Sequence, residues 1–546
     1  PVEGVGVSPA EDGRAGVNDM AELIGAAGPR QEQPQHGGGG GVIGGGGEFD
    51  RPYVGAAGWA QEPAGTRHLG DVVRREANPG CNAAEKAGGG GTLVREQSFR
   101  DPVHDFITLS DPLFLDLIDT PEMQRLRRIR QLGASYGTYH GAEHSRFGHS
   151  LGVLWVMTKV IDRFRTIGVD VDEDVATIAR AAALLHDVGH GPFSHALEGV
   201  LTPGMDHEAW TRRVLLEPGP VHDRLKKHSS ALPGLVAQVL AGGFDRPRWV
   251  TDLVSSQMDV DRMDYLIRDS VYTGVTYGHF DLPRLINTLQ VDKAGRVVCS
   301  TKGVSAVEEY LLARYFMYWQ VYLHKTTRSH ELTLAGMWRR ASRLWESGRL
   351  SPADVPPSLA PILRGMPTLS EYLAVDDSDI IVAAKMWTRS SDPVLSDLAS
   401  RVVHRRLLKA VYKAPHAAIP KERLPVARDL VRSRGWDPEY YLLVDDVSGV
   451  AYDVYDPREA GHKQPILALD ETGTPQEITR LSPTMSALAA GPRVAVNVYA
   501  PQEVVAEVRR ILAADDQASD ESPSGEWSSP VLSPGSGSLP YPSSPV

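Results

Sequence analysis

LLHDVGHGPFSH, residues 184–195, places His186, His190 and His195 with Asp187 in a stretch broken by Gly189, Gly191 and Pro192. The apolar run before it, through Ile178, Ala181 and Leu185, reads as a helix over 170–189 that ends here. Adjacent helical residues point about 100° apart, so His186 and Asp187 reach one ion only from a helix end or a tight corner. Gly189 is expected to supply that corner, because glycine adopts backbone angles other residues avoid. An imidazole beside a carboxylate suits a divalent cation such as Mn²⁺, Fe²⁺, Zn²⁺ or Ni²⁺. On the dipeptide alone, a capping aspartate beside a buried histidine is the better explanation. Two other stretches change that balance.

HSRFGHS (144–150) opens the preceding apolar helix and sets His149 near Arg146. DVDRMDYLIRDS (259–270) carries Asp261, Tyr265 and Asp269 at i, i+4 and i+8, which stacks them on one helix face. Val260, Met263 and Ile267 lie away from that face and give the helix another surface to bury. A pocket-lining Asp-Tyr-Asp face is therefore expected rather than a solvated one.

The rest of the chain frames these stretches. Its 546 residues carry a net charge of −12, with 42% hydrophobic and 23% charged residues. That acidic balance argues against a general nucleic-acid binder. Cys81 and Cys299 form no cluster, so no disulfide framework is visible and a cytoplasmic location is expected. No apolar run approaches the roughly 18 residues of a membrane span. Residues 1–92 are glycine-rich and 515–546 are Ser/Pro-rich, and both are expected to stay disordered. Residues 93–415 read as a helical domain, with helices expected at 120–132, 149–164, 255–270 and 306–338. Residues 416–514 read as a smaller α+β subdomain, with strands at 440–447 and 493–500 and a helix over 500–514. The fold class is thus mainly α. Arg125, Arg128 and Arg130 are assigned to the surface or a subunit contact, and Phe316, Met317 and Trp319 to the core.

HSRFGHS, LLHDVGHGPFSH and DVDRMDYLIRD, in this order, resemble the HD-domain metal phosphohydrolases. More narrowly they resemble the deoxynucleoside triphosphate triphosphohydrolases, a group that includes the vertebrate sterile-alpha-motif-and-HD-domain enzyme and bacterial dGTPase-like relatives. The resemblance covers roughly residues 97–415 and continues more weakly to about 514. It implies a divalent metal (Mn, Fe, Mg, Zn or Ni) on His149, His186, Asp187 and Asp261. It implies that His190, His195 and His207 act on protons and phosphate, although in other HD hydrolases such histidines hold a second metal. His190 and His207 are the candidates for assisting the departing sugar oxygen. Glu198 stands where the family has an aspartate, so the charge is kept on a longer side chain.

The same resemblance implies that Arg146, Arg262 and Arg314 meet the triphosphate of a dNTP, with dGTP among the candidates. It implies that Gln131, Tyr265 and Asp269 read the deoxyribose, and that Tyr322 is another substrate contact. Asp119, Gln124 and Arg127 match positions that read a regulatory guanine nucleotide in the vertebrate enzyme. A homo-oligomer is expected on the resemblance alone; a membrane or nucleic-acid partner is not. The alternatives are another HD-domain nucleotide phosphohydrolase or phosphodiesterase, and a nucleotide- or single-strand-binding regulator with negligible turnover.

Overall fold

Three aspartates set where the helices around the motifs begin. Asp172 accepts the Asp174 N–H ahead of the Glu173–Leu185 helix, Asp206 caps His207–Leu216, and Asp259 caps Val260–Thr273. Each side-chain oxygen satisfies an N–H that the first helical turn leaves without a partner. The computed structural model describes residues 96–244, 247–415, 422–449, 464–489 and 493–513. The segments expected to be disordered, 1–92 and 515–546, lie outside them.

The Arg146–Thr166 helix is the centre of a mainly α architecture. Its residues Leu151, Leu154, Met157, Val160 and Ile161 are all buried. It packs against both the Glu173–Leu185 and Val260–Thr273 helices. Gly152 permits the second contact: a Cβ there would lie 1.9 Å from Asp264 Oδ1 and 2.4 Å from Arg268 Nη2.

Two hydrophobic clusters result. Leu184, Leu185 and Val188 belong to the one around the Arg146–Thr166 helix. Phe193, Leu197 and Trp210 belong to the other, built around the Lys325–Glu346 helix with Trp338 and Trp387. Residues 184–195 therefore run from one core to the other. Burying each large side chain is worth roughly 1.5–3 kcal/mol. The polar residues between these anchors are held at the junction.

Two expected helices are interrupted. Thr120 and Pro121 open a helix as anticipated, but it ends at Arg125 and passes into a short 3-10 turn, Leu126–Arg128. The following residues pair with the HSRF segment instead: Arg130 bridges Ser145, and the Gln131 N–H donates to His144 O at 2.9 Å. The 306–338 helix divides into Val304–Met317, a wide π-type turn at Tyr318–Tyr322, and Lys325–Glu346. The His324 ring caps the second helix by accepting the Thr326 N–H at 3.2 Å. Wide turns of this kind often mark functional sites.

Strands are few. Gln97–Asp101 and Asp105–Leu109 form a hairpin. Arg493–Ala500 is the centre of a three-stranded antiparallel sheet, flanked by Lys409–Pro415 and Leu443–Gly449. The Val505–Ala513 helix packs on this sheet. Leu467–Leu469 pairs in parallel with Val297–Cys299. Segments after residue 416 thus pair with strands on both sides of the Lys325–Glu346 helix in sequence.

Candidate metal centre and substrate cavity

His149 and His186 face each other through Nε2 atoms 3.2 Å apart. In each ring the other nitrogen is already committed. His149 Nδ1 donates to Asp264 Oδ2 at 2.7 Å, and His186 Nδ1 donates to Ala183 O at 2.9 Å. Fixing Nδ1 in this way aims both Nε2 atoms at one point, the arrangement metal-binding histidines require. Carboxylates surround that point. Asp261 Oδ1 lies 2.9 Å from His149 Nε2 and 3.5 Å from His186 Nε2. Asp187 Oδ1 lies 3.3 Å from His186 Nε2, and its Oδ2 is 3.8 Å from His149 Nε2. His149, His186 and Asp187 offer atoms that all lie within 4.8 Å of one another.

Charge agrees with geometry. Burial alone would depress the His149 ring, but its bonds to Asp261 and Asp264 outweigh that and raise its pKa to about 10. Burial would raise Asp261, but hydrogen bonds from His149 and His186 hold it well below the usual carboxylate range. The site thus draws positive charge to the place where the Nε2 atoms and carboxylates converge. A divalent cation with nitrogen and oxygen ligands fits this donor set.

The centre opens into a cavity of about 910 Å³. Along its wall His190 lies flat on His207, with ring centroids 3.9 Å apart, and His195 meets both rings edge-on. Glu198 ties this group together. It accepts from His207 Nδ1 at 2.5 Å, from the His207 N–H at 2.9 Å and from His195 Nδ1 at 2.6 Å. The longer side chain therefore spans both histidines. The stacked rings are driven apart in pKa. Burial, then the Arg146 charge, pushes His190 well below the ordinary histidine value. Burial would also lower His207, but its bond to Glu198 prevails and raises it.

Cations and acceptors divide the remaining wall. Arg146 donates to Asp187 Oδ2 at 2.5 Å and to Ser194 Oγ at 2.8 Å. Arg262 pairs with Asp259 and donates to Ser256 O, while its buried Nε has no hydrogen-bond partner among the described residues. Arg314 lies outside this lining; it is buried, with neither Nε nor Nη1 partnered among the described residues, 5.8 Å from the ring centre of Tyr318, which does line the cavity. Asp261, Tyr265 and Asp269 all face the cavity from the Val260–Thr273 helix, as the i, i+4, i+8 spacing predicts. Tyr322 and Gln131 face it from the π-type turn and the chain after the Leu126–Arg128 turn.

A family model for the HD domain matches residues 146–269, and one for the HD associated region matches 280–355. The chain is 40% identical over 417 residues to the uncharacterized protein YwfO of Bacillus subtilis, covering 76% of this chain and 95% of the relative. A crystal structure of a phosphohydrolase from Bacteroides thetaiotaomicron superposes with a TM-score of 0.65 at 31% identity, covering 74% of this chain and all of the other. The chain belongs to the HD-domain phosphohydrolases. Deoxynucleoside triphosphate triphosphohydrolase SAMHD1 of Danio rerio is 27% identical over 396 residues, covering 64% of this chain and 61% of the relative.

In this HD-domain phosphohydrolase a buried polar layer behind His149 escaped the reading of the sequence. Asp264 accepts from His149, from His104 Nε2 at 2.6 Å and from Arg268 Nε at 2.8 Å, and Arg268 also grips Asp101. The available signal was an aspartate three residues after Asp261, on the buried side of the helix. Gly189 also differs from expectation. Its φ is not left-handed; instead a Cβ there would lie 2.1 Å from Thr211 N. The left-handed residues are Phe193 and Ser194, at φ 56° and 48°. The glycine serves close approach of the His207 helix, while the corner lies further on.

Three assignments need correction. Arg125 is fully buried, donating to His190 O at 2.7 Å and to Val375 O at 2.9 Å, so it braces the motif loop rather than the surface. Arg130 is partly buried between Glu143 and Asp377. Phe316 is 42% exposed, because the Val304–Met317 helix buries Met317 and Tyr310 instead. Asp119, Gln124 and Arg127 lie outside the cavity lining. Gln124 donates to Ile118 O, and Arg127 donates to Gln124 while lying 3.6 Å from the Phe147 ring centre. Among the described residues no helix is long and apolar enough to cross a membrane.

Proposed function

We propose that this protein hydrolyses deoxynucleoside triphosphates at the α-phosphorus, yielding a deoxynucleoside and inorganic triphosphate. The observation that carries this reading is one cavity that joins a two-histidine, two-aspartate centre to Arg146 and Arg262, the latter with an unpartnered Nε among the described residues, and to the Asp269 carboxylate, which accepts a hydroxyl. A phosphohydrolase acting on a short monoester needs no such second half.

His149, His186, Asp187 and Asp261 would hold the metal. When bound there, a divalent ion supplies Lewis acidity to a phosphoryl oxygen and acidifies water. The protein's own groups do the rest. Arg146, Arg262 and Arg314 neutralise the triphosphate. Water oxygen bonds to the α-phosphorus as the bond to the sugar 5′-oxygen breaks. His207, held protonated by Glu198, gives that oxygen its proton, and the proton released by the water passes to solvent. His190, held neutral against it, and His195 border the reacting phosphate. Gln131, Tyr265, Asp269 and Tyr322 hold the sugar. A regulatory nucleotide would sit at Asp119, Gln124 and Arg127, and a homo-oligomer is part of this reading.

Product analysis tests it. Purified protein with each dNTP, alone and mixed, and with Mn²⁺ or Mg²⁺, should release deoxynucleoside and triphosphate, and Asp187→Ala should release neither. Activity confined to mixtures would support the second nucleotide site. Orthophosphate or pyrophosphate as the product would favour another HD phosphohydrolase.

A further inference from the structure

His144 lies behind Asp269 and Gln131, two residues that line the cavity, and the proposed reaction assigns it no role. Its Nε2 donates to Asp269 Oδ1 at 2.7 Å, with both side chains 2% exposed. The other oxygen of Asp269 accepts the Tyr322 hydroxyl at 2.8 Å. Among the described residues no arginine or lysine pairs with Asp269, so these two bonds are what hold the buried carboxylate in place. The His144 ring is itself fixed, stacked on Tyr272 with centroids 4.4 Å apart and planes at 15°. Its Nδ1 is buried without a hydrogen-bond partner among the described residues, so the ring serves Asp269 through Nε2.

The same residue acts a second time through its backbone. The Gln131 N–H donates to His144 O at 2.9 Å. Gln131 lines the cavity and its Oε1 is buried with no hydrogen-bond partner among the described residues. His144 thus bonds to two cavity-lining residues, Asp269 through its ring and Gln131 through its carbonyl. Gln131 Oε1, the remaining lone pairs of Asp269 and the Tyr322 oxygen, whose own proton is committed to Asp269, give the lining of one cavity a set of acceptors. Such a subsite selects a ligand that brings a hydroxyl donor and rejects one that lacks it, because the buried acceptors would then stay unpaired.

We propose that His144 is the positioning residue of a sugar-hydroxyl subsite: its ring aims Asp269, and its carbonyl sets Gln131, at the 3′-hydroxyl of the substrate. This rests on the nucleotide reading above and extends it to a residue that does not itself touch the substrate.

The test compares a dNTP with its 2′,3′-dideoxy counterpart on wild type, His144→Ala and His144→Gln. Gln retains an N–H donor near the Nε2 position. Turnover is followed with Mn²⁺, and equilibrium binding is measured by calorimetry with Ca²⁺. Wild type should prefer the dNTP by roughly tenfold or more, the size of one hydrogen bond to a charged group. In His144→Ala that preference should fall close to one, with little change for the dideoxy substrate, and His144→Gln should restore most of it. An equal loss for both substrates would overturn the proposal in favour of a purely structural role. So would a wild type with no 3′-hydroxyl preference. A preference in binding that His144→Ala abolishes, with no triphosphate released by any variant, would uphold His144 and refute the reaction.

Discussion

His190 and His207 lie with ring planes 11° apart and centroids at 3.9 Å, yet they hold opposite protonation preferences. The difference comes from their second neighbours. His190 is buried beside the Arg146 charge, whereas His207 donates to Glu198. A neutral ring and a protonated ring are thus stacked on one cavity wall, a division of labour that suits a phosphate contact and a proton donor.

The pH profile should report this pair. His207 is raised above its ordinary value, so the donor form persists below that raised pKa and is lost as pH climbs through it. We expect kcat to fall on the alkaline side with the His207 pKa. Glu198→Gln replaces the carboxylate that raises it by a neutral amide and should move that limb to lower pH. An unmoved limb would show that His207 is not the titrating donor.

Asp264→Asn should weaken metal retention by roughly 10–100-fold, since it loosens the ring that holds His149 Nε2 on the centre. Metal content after dialysis, measured by mass spectrometry, checks this. The melting temperature should fall too, because Arg268 loses one of its two carboxylate partners. Full metal content in a folded Asp264→Asn protein would sink the prediction.

Arg314 should trade stability for affinity. Its buried Nε and Nη1 have no hydrogen-bond partner among the described residues, so the charge is a cost that the proposed triphosphate contact would offset. Arg314→Met should leave the melting temperature unchanged or raise it by a few degrees, while raising KM roughly 10–100-fold. A fall in melting temperature with KM unchanged would assign the residue to structure.

Glu331 and His330 should bend the stability curve in opposite directions. Burial raises Glu331 to about 7, against the opposing charge of Arg328. Its contribution is full below the unfolded pKa of 4.5 and is lost as pH rises through about 7. Burial lowers His330 to about 4, so its contribution is present above 6.5 and is lost as pH falls from there through about 4. Each shift is worth on the order of 3 kcal/mol. Glu331→Gln should therefore stabilise at pH 8 and change little at pH 4, as read from urea denaturation. Equal effects at both values would contradict the shift.

Much of the local architecture was legible in the chain. The helix start at Thr120, and the shared face of Asp261, Tyr265 and Asp269, follow from capping chemistry and a 3.6-residue period, which act within a few residues, whereas the helix expected over 170–189 runs only from Glu173 to Leu185. The 306–338 stretch misled because its apolar pattern runs on through the π-type turn, and only the packing of Tyr318 and Tyr322 against the cavity shows the break. Arg125 misled because composition cannot show that two carbonyls wait for it in the interior.

By itself, then, the sequence determined the mainly helical class, the element starts and the motif set that marks an HD-domain protein, all of which depend on near neighbours along the chain. Tertiary structure alone decided which acid grips which ring. Asp264 meets His149 across 115 residues and His144 meets Asp269 across 125. Only close packing brings such pairs within hydrogen-bond range: Gly152 and Gly189 each leave out the one carbon that would keep their helices apart.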